Sequence, residues 1–353
     1  MAFKTAAGYG NLPNGNFSPV IYSKKVQSAF RKTSIVEDIT NSDYFGEIAN
    51  FGDTVRIIKE PEITVQEYAR GTQVTPQDLT DDDFTLVVDK ANYFAFKIDD
   101  IEEAHSHVNF ESMASDRAGY RLKDQFDQEV LGYLSGFKQS ALSTVADTAN
   151  DVKSGTDPVA AGSDGLLSSM ELTHGDFSGS GTPANSIAMS ASNTSAVATP
   201  LAILNRMSRL LDQQNVDRDG RWVVVDPVFA EELNDENSKL LNNDFAGGQN
   251  AGDLLRNGRV ISGLIRGFRV YMSNNLPSIG TGSSTINTNG SGSNFGVIVA
   301  GHDSAVATAS QVEKVETYRD NDSFADIVRG MHLYGRKILR PEALVRAKYN
   351  LYS

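Results

Sequence analysis

At 353 residues the chain is long enough for two packed domains, or for one large domain with insertions. It contains no cysteine, which excludes disulfides and thiolate metal sites, and its formal net charge of −13 disfavours sequence-specific nucleic-acid binding because an acidic surface repels phosphate. No stretch approaches the ~20 apolar residues that cross a bilayer, and the first residues lack an apolar core of signal-peptide length, which predicts a soluble chain made in the cytoplasm.

The charge is unevenly spread. Residues 1–36 carry five basic residues (Lys4, Lys24, Lys25, Arg31 and Lys32) and no acidic one. Acidic clusters follow at Asp78, Asp81, Asp82 and Asp83, then at Asp99, Asp100, Glu102 and Glu103. A basic arm ahead of an acidic body predicts that the arm docks on another copy of the body. The plainer reading is a solvated, frayed terminus. Within the arm, 22–34 (YSKKVQSAFRKTS) can form a short helix with Val26 and Phe30 on one face. That face is too small to hold the helix unless it packs on something else.

Residues 54–98 read as a long β-ribbon. TVRIIK (54–59) and ITVQEY (63–68) put β-branched residues at alternating positions, and Gly71 marks the turn region. The return runs through Phe84, Leu86 and Val88, then Phe94, Phe96 and Ile98, again alternating. Arms of about 15 residues at ~3.3 Å each make a ribbon of about 50 Å. Two such strands are not stable alone in water. The outer portion, 60–83, is polar and poor in core residues, so the ribbon is expected to lie on a neighbouring molecule.

Residues 110–137 read as one long helix, with Ala114, Ala118, Leu122, Phe126, Val130 and Leu134 recurring every four residues. Gly119 and Gly132 weaken it and allow a bend. From 139 to 197 the composition turns to Ser, Ala, Gly, Thr, Asn and Asp, with Leu166, Leu167, Met170 and Leu172 as a local apolar cluster. This stretch reads as an inserted surface module whose residues 142–196 can be removed without unfolding the subunit. Thr199 and Pro200 then start a helix through Leu201, Leu204, Met207 and Leu211. RWVVVD (221–226) reads as a buried strand, Pro227 opens a further helix, and 259–273 supplies more strands. A polar loop, 277–294, separates these from a strand at 295–300, and 311–349 read as mostly strand.

The chemical motifs fail one by one. No glycine precedes Lys-Ser or Lys-Thr, the glycines of 280–292 lack dinucleotide-binding spacing, and no G-x-S-x-G elbow occurs. The histidines are His105, His107, His174, His302 and His332; the first two lie beside Glu102 and Glu103 but cannot share a helix face two residues apart. They read as surface or packing residues. Asn215-Val-Asp217-Arg-Asp219-Gly220, with Asp226 twelfth, approaches a calcium loop, but Asp stands where a bidentate Glu belongs and a strand-forming run precedes it. A tight Asp-Gly turn feeding that strand is the better reading. Asn193-Thr-Ser195 and Asn289-Gly-Ser291 match the glycosylation pattern, which carries no weight without a secretion signal. No acid/base pair can be chosen from spacing in a chain this acidic. No catalytic, cofactor-binding or metal-binding residue is assigned.

The order of these elements resembles the major capsid proteins of tailed bacteriophages with the Hong Kong 97-type fold. Residues 20–58 (VIYSKKVQSAFRKTSIVEDITNSDYFGEIANFGDTVRII) look like the arm and the approach to the extended loop. Residues 88–101 (VDKANYFAFKIDDI) look like the return of that loop into the spine helix. NVDRDGRWVVVDP (215–227) and GFRVYMSNNLP (267–277) look like axial-domain segments, and LYGRKILRPEALVRAKYN (333–350) like the last peripheral strands. The resemblance covers nearly the whole chain except 139–197.

It implies an α+β chain with an N-terminal arm (1–51), an extended loop or β-ribbon (52–98) and the spine helix of a peripheral domain (99–138). After the insertion (139–197) come an axial domain (198–310) and the closing peripheral strands (311–353). It further implies rings of five and six closing into an icosahedral shell around packaged double-stranded DNA, with an acidic inner face that keeps the DNA from sticking. Its partners would be other copies of itself, a separate scaffolding protein, a portal and in some cases a decoration protein, with DNA contacted non-specifically and no membrane. A separate scaffold is expected because only about 20 residues of coil precede the arm helix, too few for a helical bundle. The virion is the implied location, after assembly in the host cytoplasm. Some relatives join a loop lysine to a neighbour's asparagine; here 60–89 holds no lysine, Lys59 and Lys90 flank it, and Arg70 cannot act as the amine. No cross-linking is expected. Two other readings are a bacterial nanocompartment shell of the same fold and, from another class, an acidic-residue hydrolase with β-rich accessory domains.

Overall fold

The computed structural model describes residues 34–41, 54–58, 63–71, 73, 76–78, 83–99, 110–136, 166–178, 186–192, 197–234, 264–276, 278–279, 295–321 and 323–351. The helix expected over 22–34 lies outside them except for Ser34, as do His105 and His107. Of the loop 277–294, only Ser278 and Ile279 lie within them.

The chain opens with α1 (Val36–Ile39), β1 (Thr54–Ile58), β2 (Asp83–Val87), β3 (Lys90–Asp99) and the long α2 (Phe110–Ser135). Then come β4 (Glu171–Leu172), α3 (Gly175–Ser178), β5 (Ile187–Met189), α4 (Pro200–Gln213), β6 (Arg221–Val225) and α5 (Pro227–Leu233). The remainder is strand: β7 (Arg269–Met272), β8 (Ser278–Ile279), β9 (Phe295–His302), β10 (Val306–Arg319), β11 (Ala325–Ile338) and β12 (Leu344–Leu351).

The main body is a mixed seven-stranded sheet running β4-β12-β9-β6-β7, with β5 on β12 and β8 on β9. All five residues of β6 are buried because both faces of the sheet are covered. Val223, Val225, Ile298, Ala300 and Val345 share one core with Ile203, Leu204 and Met207 of α4 and Phe229 of α5. Trp222, Val224, Val297 and Val299 share the opposite core with Val130, Leu131 and Leu134 of α2 and with Val36 and Ile39 of α1. Both short-side helices start as their sequences dictate. Thr199 accepts from Ala202 N–H ahead of Pro200, and Asp226 accepts from Phe229 N–H ahead of Pro227.

The second body is a three-stranded antiparallel sheet, β10-β11-β3, with a register shift between Ser310 and Val312. Its strands β10 and β11 each run for 14 residues. One face carries Asn92, Phe94 and Phe96 opposite His332, Gly330 and Val328. A Cβ at Gly330 would come within 2.4 Å of the Phe94 ring, so glycine there leaves room for the aromatic side chain. The helix α2 bridges the two bodies: Phe126 packs edge-on against His332 and Tyr334 of β11, while its last turns sit on the seven-stranded sheet.

Four sequence expectations change. The ribbon is regular only at its base, where β1 and β2 pair from Thr54↔Val87 to Ile58↔Asp83, and residues 63–69 are extended without strand pairing. Its expected return over 92–98 is instead β3, paired to β11, since alternating Phe94 and Phe96 find a sheet of the same chain to lie in. The helix α2 passes through Gly119 and Gly132 without interruption. The stretch 139–197 is not a detachable module. Leu166, Met170, Leu172, Ile187 and Met189 are all buried, and β4 and β5 both pair in parallel with β12. Five well-spaced apolar residues suffice to dock a polar segment, which bulk composition conceals. The closing residues also divide: β10 and β11 build the three-stranded sheet, whereas β12 lies in the seven-stranded sheet beside β9. A boundary at 310 also cuts through β10.

Candidate assembly surfaces

The first candidate site is the anchor of the arm. Asp127 is completely buried on α2, on the stripe that also carries Leu131 and Leu134. Its Oδ1 accepts from Ser34 Oγ (2.9 Å) and from the backbone N–H groups of Ile35 (3.1 Å) and Val36 (3.0 Å). Those donors stand at the start of α1, where no intrahelical acceptor exists. Its Oδ2 accepts from Asn275 Nδ2 (3.0 Å), which also donates to Asp124 Oδ1 (3.1 Å). One carboxylate therefore ties the arm, the spine helix and the turn after β7 together. Sequence reasoning missed it; the available signal was an acidic residue placed on an apolar helix stripe. The arm's described end thus docks on its own body, not on another copy's.

The second is the ribbon. Ile63, Val65 and Tyr68 are exposed, Val65 by 92%, which is far from the usual place of a β-branched apolar side chain. Thr64 N–H donates to Gln77 Oε1 (2.9 Å) across the two limbs. The base is firmly seated, with Leu86 and Val88 buried among Ala307, Ala309 and Leu339. At that crossing a Cβ on Gly335 would lie 2.3 Å from the Val87 carbonyl oxygen, so only glycine permits the approach.

The third is the outer face of the three-stranded sheet. Tyr93 pairs directly with Met331, and they are 80% and 43% exposed. Tyr318, opposite Ile327, extends the patch. Ion pairs rim it: Arg329 with Glu316 (2.9 Å) and Lys97 with Asp320 (2.6 Å), while the Arg329 guanidinium also lies over the Tyr318 ring. An apolar centre with a charged rim is the usual make-up of a protein–protein contact.

The remaining polar clusters hold the fold. Tyr349 donates its hydroxyl to Asp226, the cap of α5, and burial pushes the Asp226 carboxyl above the ordinary carboxylate range. Burial, reinforced by the facing Asp226 carboxylate, likewise holds the Tyr349 hydroxyl well above its ordinary value. Tyr334 donates to Glu129, and burial next to that carboxylate raises it too. The calcium-like loop is a turn: Asn215 and Gly220 take φ of 57° and 82°, and Asp217 Oδ1 accepts from Asp219 N–H. His302 bonds to Ser304 Oγ and the Asp219 carbonyl, His332 bonds to Ser310 Oγ, and the His174 carbonyl accepts from Ser178 Oγ. Among the described residues no group of three or more His, Asp or Glu side chains is arranged to hold a metal ion. No helix among them is long and apolar enough to cross a membrane.

A family model described as phage capsid protein matches residues 59–347. A chain in the solved structure of Mycobacterium phage Che8 is 25% identical, with a TM-score of 0.67 over 94% of this chain and 97% of that one. A chain in the capsid structure of the cyanophage P-SCSP1u is 17% identical, with a TM-score of 0.62 over 96% of this chain and 94% of that one. One in the capsid of Ralstonia phage GP4 is 12% identical, with a TM-score of 0.64 over 99% of each chain. At those lower identities the last two speak for the fold alone. No curated protein matches by sequence.

Proposed function

The chain belongs to the phage capsid protein family, and from that premise we propose that it is the major capsid subunit of a tailed phage. Copies assemble through rings of five and six into an icosahedral shell enclosing double-stranded DNA. The observation that carries this reading is that the family match runs from the ribbon through the spine helix to the last strand, so the parts with no partner of their own lie inside it. The seven-stranded sheet with α4 and α5 forms the axial part at ring centres. The three-stranded sheet and the helix α2 form the peripheral part, with the ribbon reaching a neighbouring copy. The role is structural, with no catalytic residue, in line with the family. The other partners are a scaffolding protein, a portal and, in some shells, a decoration protein. No covalent link joins the copies, because Lys59 and Lys90 both lie outside the ribbon's outer limb.

Ribbon deletion tests the reading. Since Ile58 faces Asp83 across the base, replacing 59–82 by Asn-Gly closes a two-residue hairpin in the existing register. The variant should keep the circular dichroism spectrum and thermal transition of wild type yet form only free subunits or open rings by negative-stain imaging. Closed shells from the variant would overturn the ribbon's role. Wild-type shells from infected cells should contain nuclease-protected DNA; enclosed protein cargo in its place would point to a nanocompartment.

A further inference from the structure

One face of α4 carries Asn205, Ser208, Arg209 and Asp212, three or four residues apart and so stacked along one side of the helix. Together with Arg218 and Arg266 they line a pocket of about 340 Å³. In a chain with a formal charge of −13, a concavity with three arginines and one acidic residue stands apart from the rest of the surface.

The acidic residue is already engaged. Asp212 Oδ1 accepts from the buried Arg221 (2.8 Å), and its Oδ2 accepts from Arg218 (3.1 Å). The Arg221 hydrogen bond, the larger influence, keeps the Asp212 carboxyl below its ordinary value, so it stays ionised and spoken for. Arg221 is itself fixed by the carbonyls of Asp217 and Val216 (2.7 and 2.6 Å). Its Nη1 donates to Ser208 Oγ at 3.5 Å, which leaves the serine proton free to point into the pocket. The lining thus offers donors in excess.

A second observation comes from the backbone. Arg266 sits at φ 54° and Gly267 at φ 88°, in a two-residue turn closed by the bridge between Ile265 and Phe268. Turns of this kind favour Asn-Gly or Asp-Gly. An arginine in the left-handed region costs about 1 kcal/mol, and such strain concentrates where a side chain has work to do. Here it places a guanidinium on the pocket wall.

We propose that this pocket is an anion site that takes a carboxylate side chain from a second copy of the chain, joining subunits around the axial part of the shell. Guanidinium groups bind carboxylates bidentately, and the 45 acidic residues of each neighbour supply such groups at high local concentration. Packaged DNA fits less well, since phosphate-backbone binding uses an extended basic stripe and these arginines are confined to one concavity.

The proposal rests on the shell reading, and one experiment separates the two. Arg209→Glu/Arg266→Glu alters exposed side chains and leaves the Arg221–Asp212–Arg218 brace intact, so its circular dichroism and thermal transition should match wild type. At equal concentration its yield of closed shells should fall at least about tenfold, because each copy loses two charge-assisted contacts. Arg209→Lys/Arg266→Lys should recover part of that yield. Wild type that forms no shells would sink the shell reading itself. Wild-type shells matched by equal yield and salt resistance in the Glu variant would overturn the pocket's role. Normal shells that contain less DNA than wild type would assign the pocket to phosphate and overturn the contact between copies.

Discussion

The two sheets of this molecule are built from similar residues and end in different states. In the seven-stranded sheet, Trp222 and Val224 point into one core and Val223 and Val225 into another, so helices close both sides. In the three-stranded sheet, Phe94 and Phe96 turn toward the side of α2, while Tyr93 and Met331 face outward with only ion pairs around them. An antiparallel sheet can leave one face to water, but aromatic and thioether side chains gain little there. The closed sheet can stand in a lone subunit. The open sheet and its ribbon have contacts to offer that only assembly uses.

The contrast can be tested by four changes, taken in order of their cost to the isolated subunit. Replacing 166–192 by a Gly-Ser linker removes Leu166, Met170, Leu172, Ile187 and Met189 from the closed core. At roughly 1.5–3 kcal/mol per buried side chain, this exceeds the stability of most domains. The product should be insoluble, or lack a cooperative transition in urea. A folded product would return this stretch to the status of a surface module.

Asp127→Ala comes next. It leaves the Ile35 and Val36 N–H groups without their acceptor, at about 1–3 kcal/mol for buried donors. Denaturant melts should show that loss. Protease cleavage near Ser34 should also quicken, and unchanged cleavage would mean that the arm is held by its apolar residues alone.

Asp226→Asn should have a smaller, pH-dependent effect. Burial raises the folded carboxyl above its unfolded value, so its contribution to stability is fully present at low pH and is lost as pH rises through the folded value. Asparagine keeps an acceptor for Phe229 N–H and the Tyr349 hydroxyl without titrating. The variant's stability relative to wild type should therefore improve between about pH 4 and pH 7, a range that starts near the ordinary Asp value. A difference that is constant with pH would show that the carboxylate is better solvated than its burial implies.

Tyr93→Ser/Met331→Ser on the open face should change subunit stability by less than about 0.5 kcal/mol, as for exposed positions generally. Shell yield should fall all the same. A large loss of subunit stability would mean that this face is already covered within the chain.

Much of this was legible in the sequence, for reasons that differ by element. Thr199-Pro200 and Asp226-Pro227 announce helix starts because capping is local chemistry. RWVVV reads as a buried strand because both of its faces are apolar. The ribbon was misjudged beyond its base because alternation at Phe94 and Phe96 does not say which strand it will pair with; β11 lies more than 200 residues further on. The segments 166–172 and 186–189 were hidden by polar neighbours. The arm anchor and the arginine pocket were illegible for the same reason. Asp127 meets Ser34 and Arg266 meets Arg209 only after folding, so no spacing in the chain encodes them.

The crossing of Gly335 and Val87 has a mechanical consequence. Because the ribbon's base is seated on β11 with no side chain between, a pull on the ribbon passes directly into the antiparallel pair β10 and β11. The strands β10 and β11 stay paired from Val306↔Ile338 to Arg319↔Asp326. Tension along their length strains many hydrogen bonds at once in shear, instead of peeling them apart one after another. A container swollen from within would stretch this seam in its strongest direction, and adding even a methyl group at residue 335 would move the load path off it.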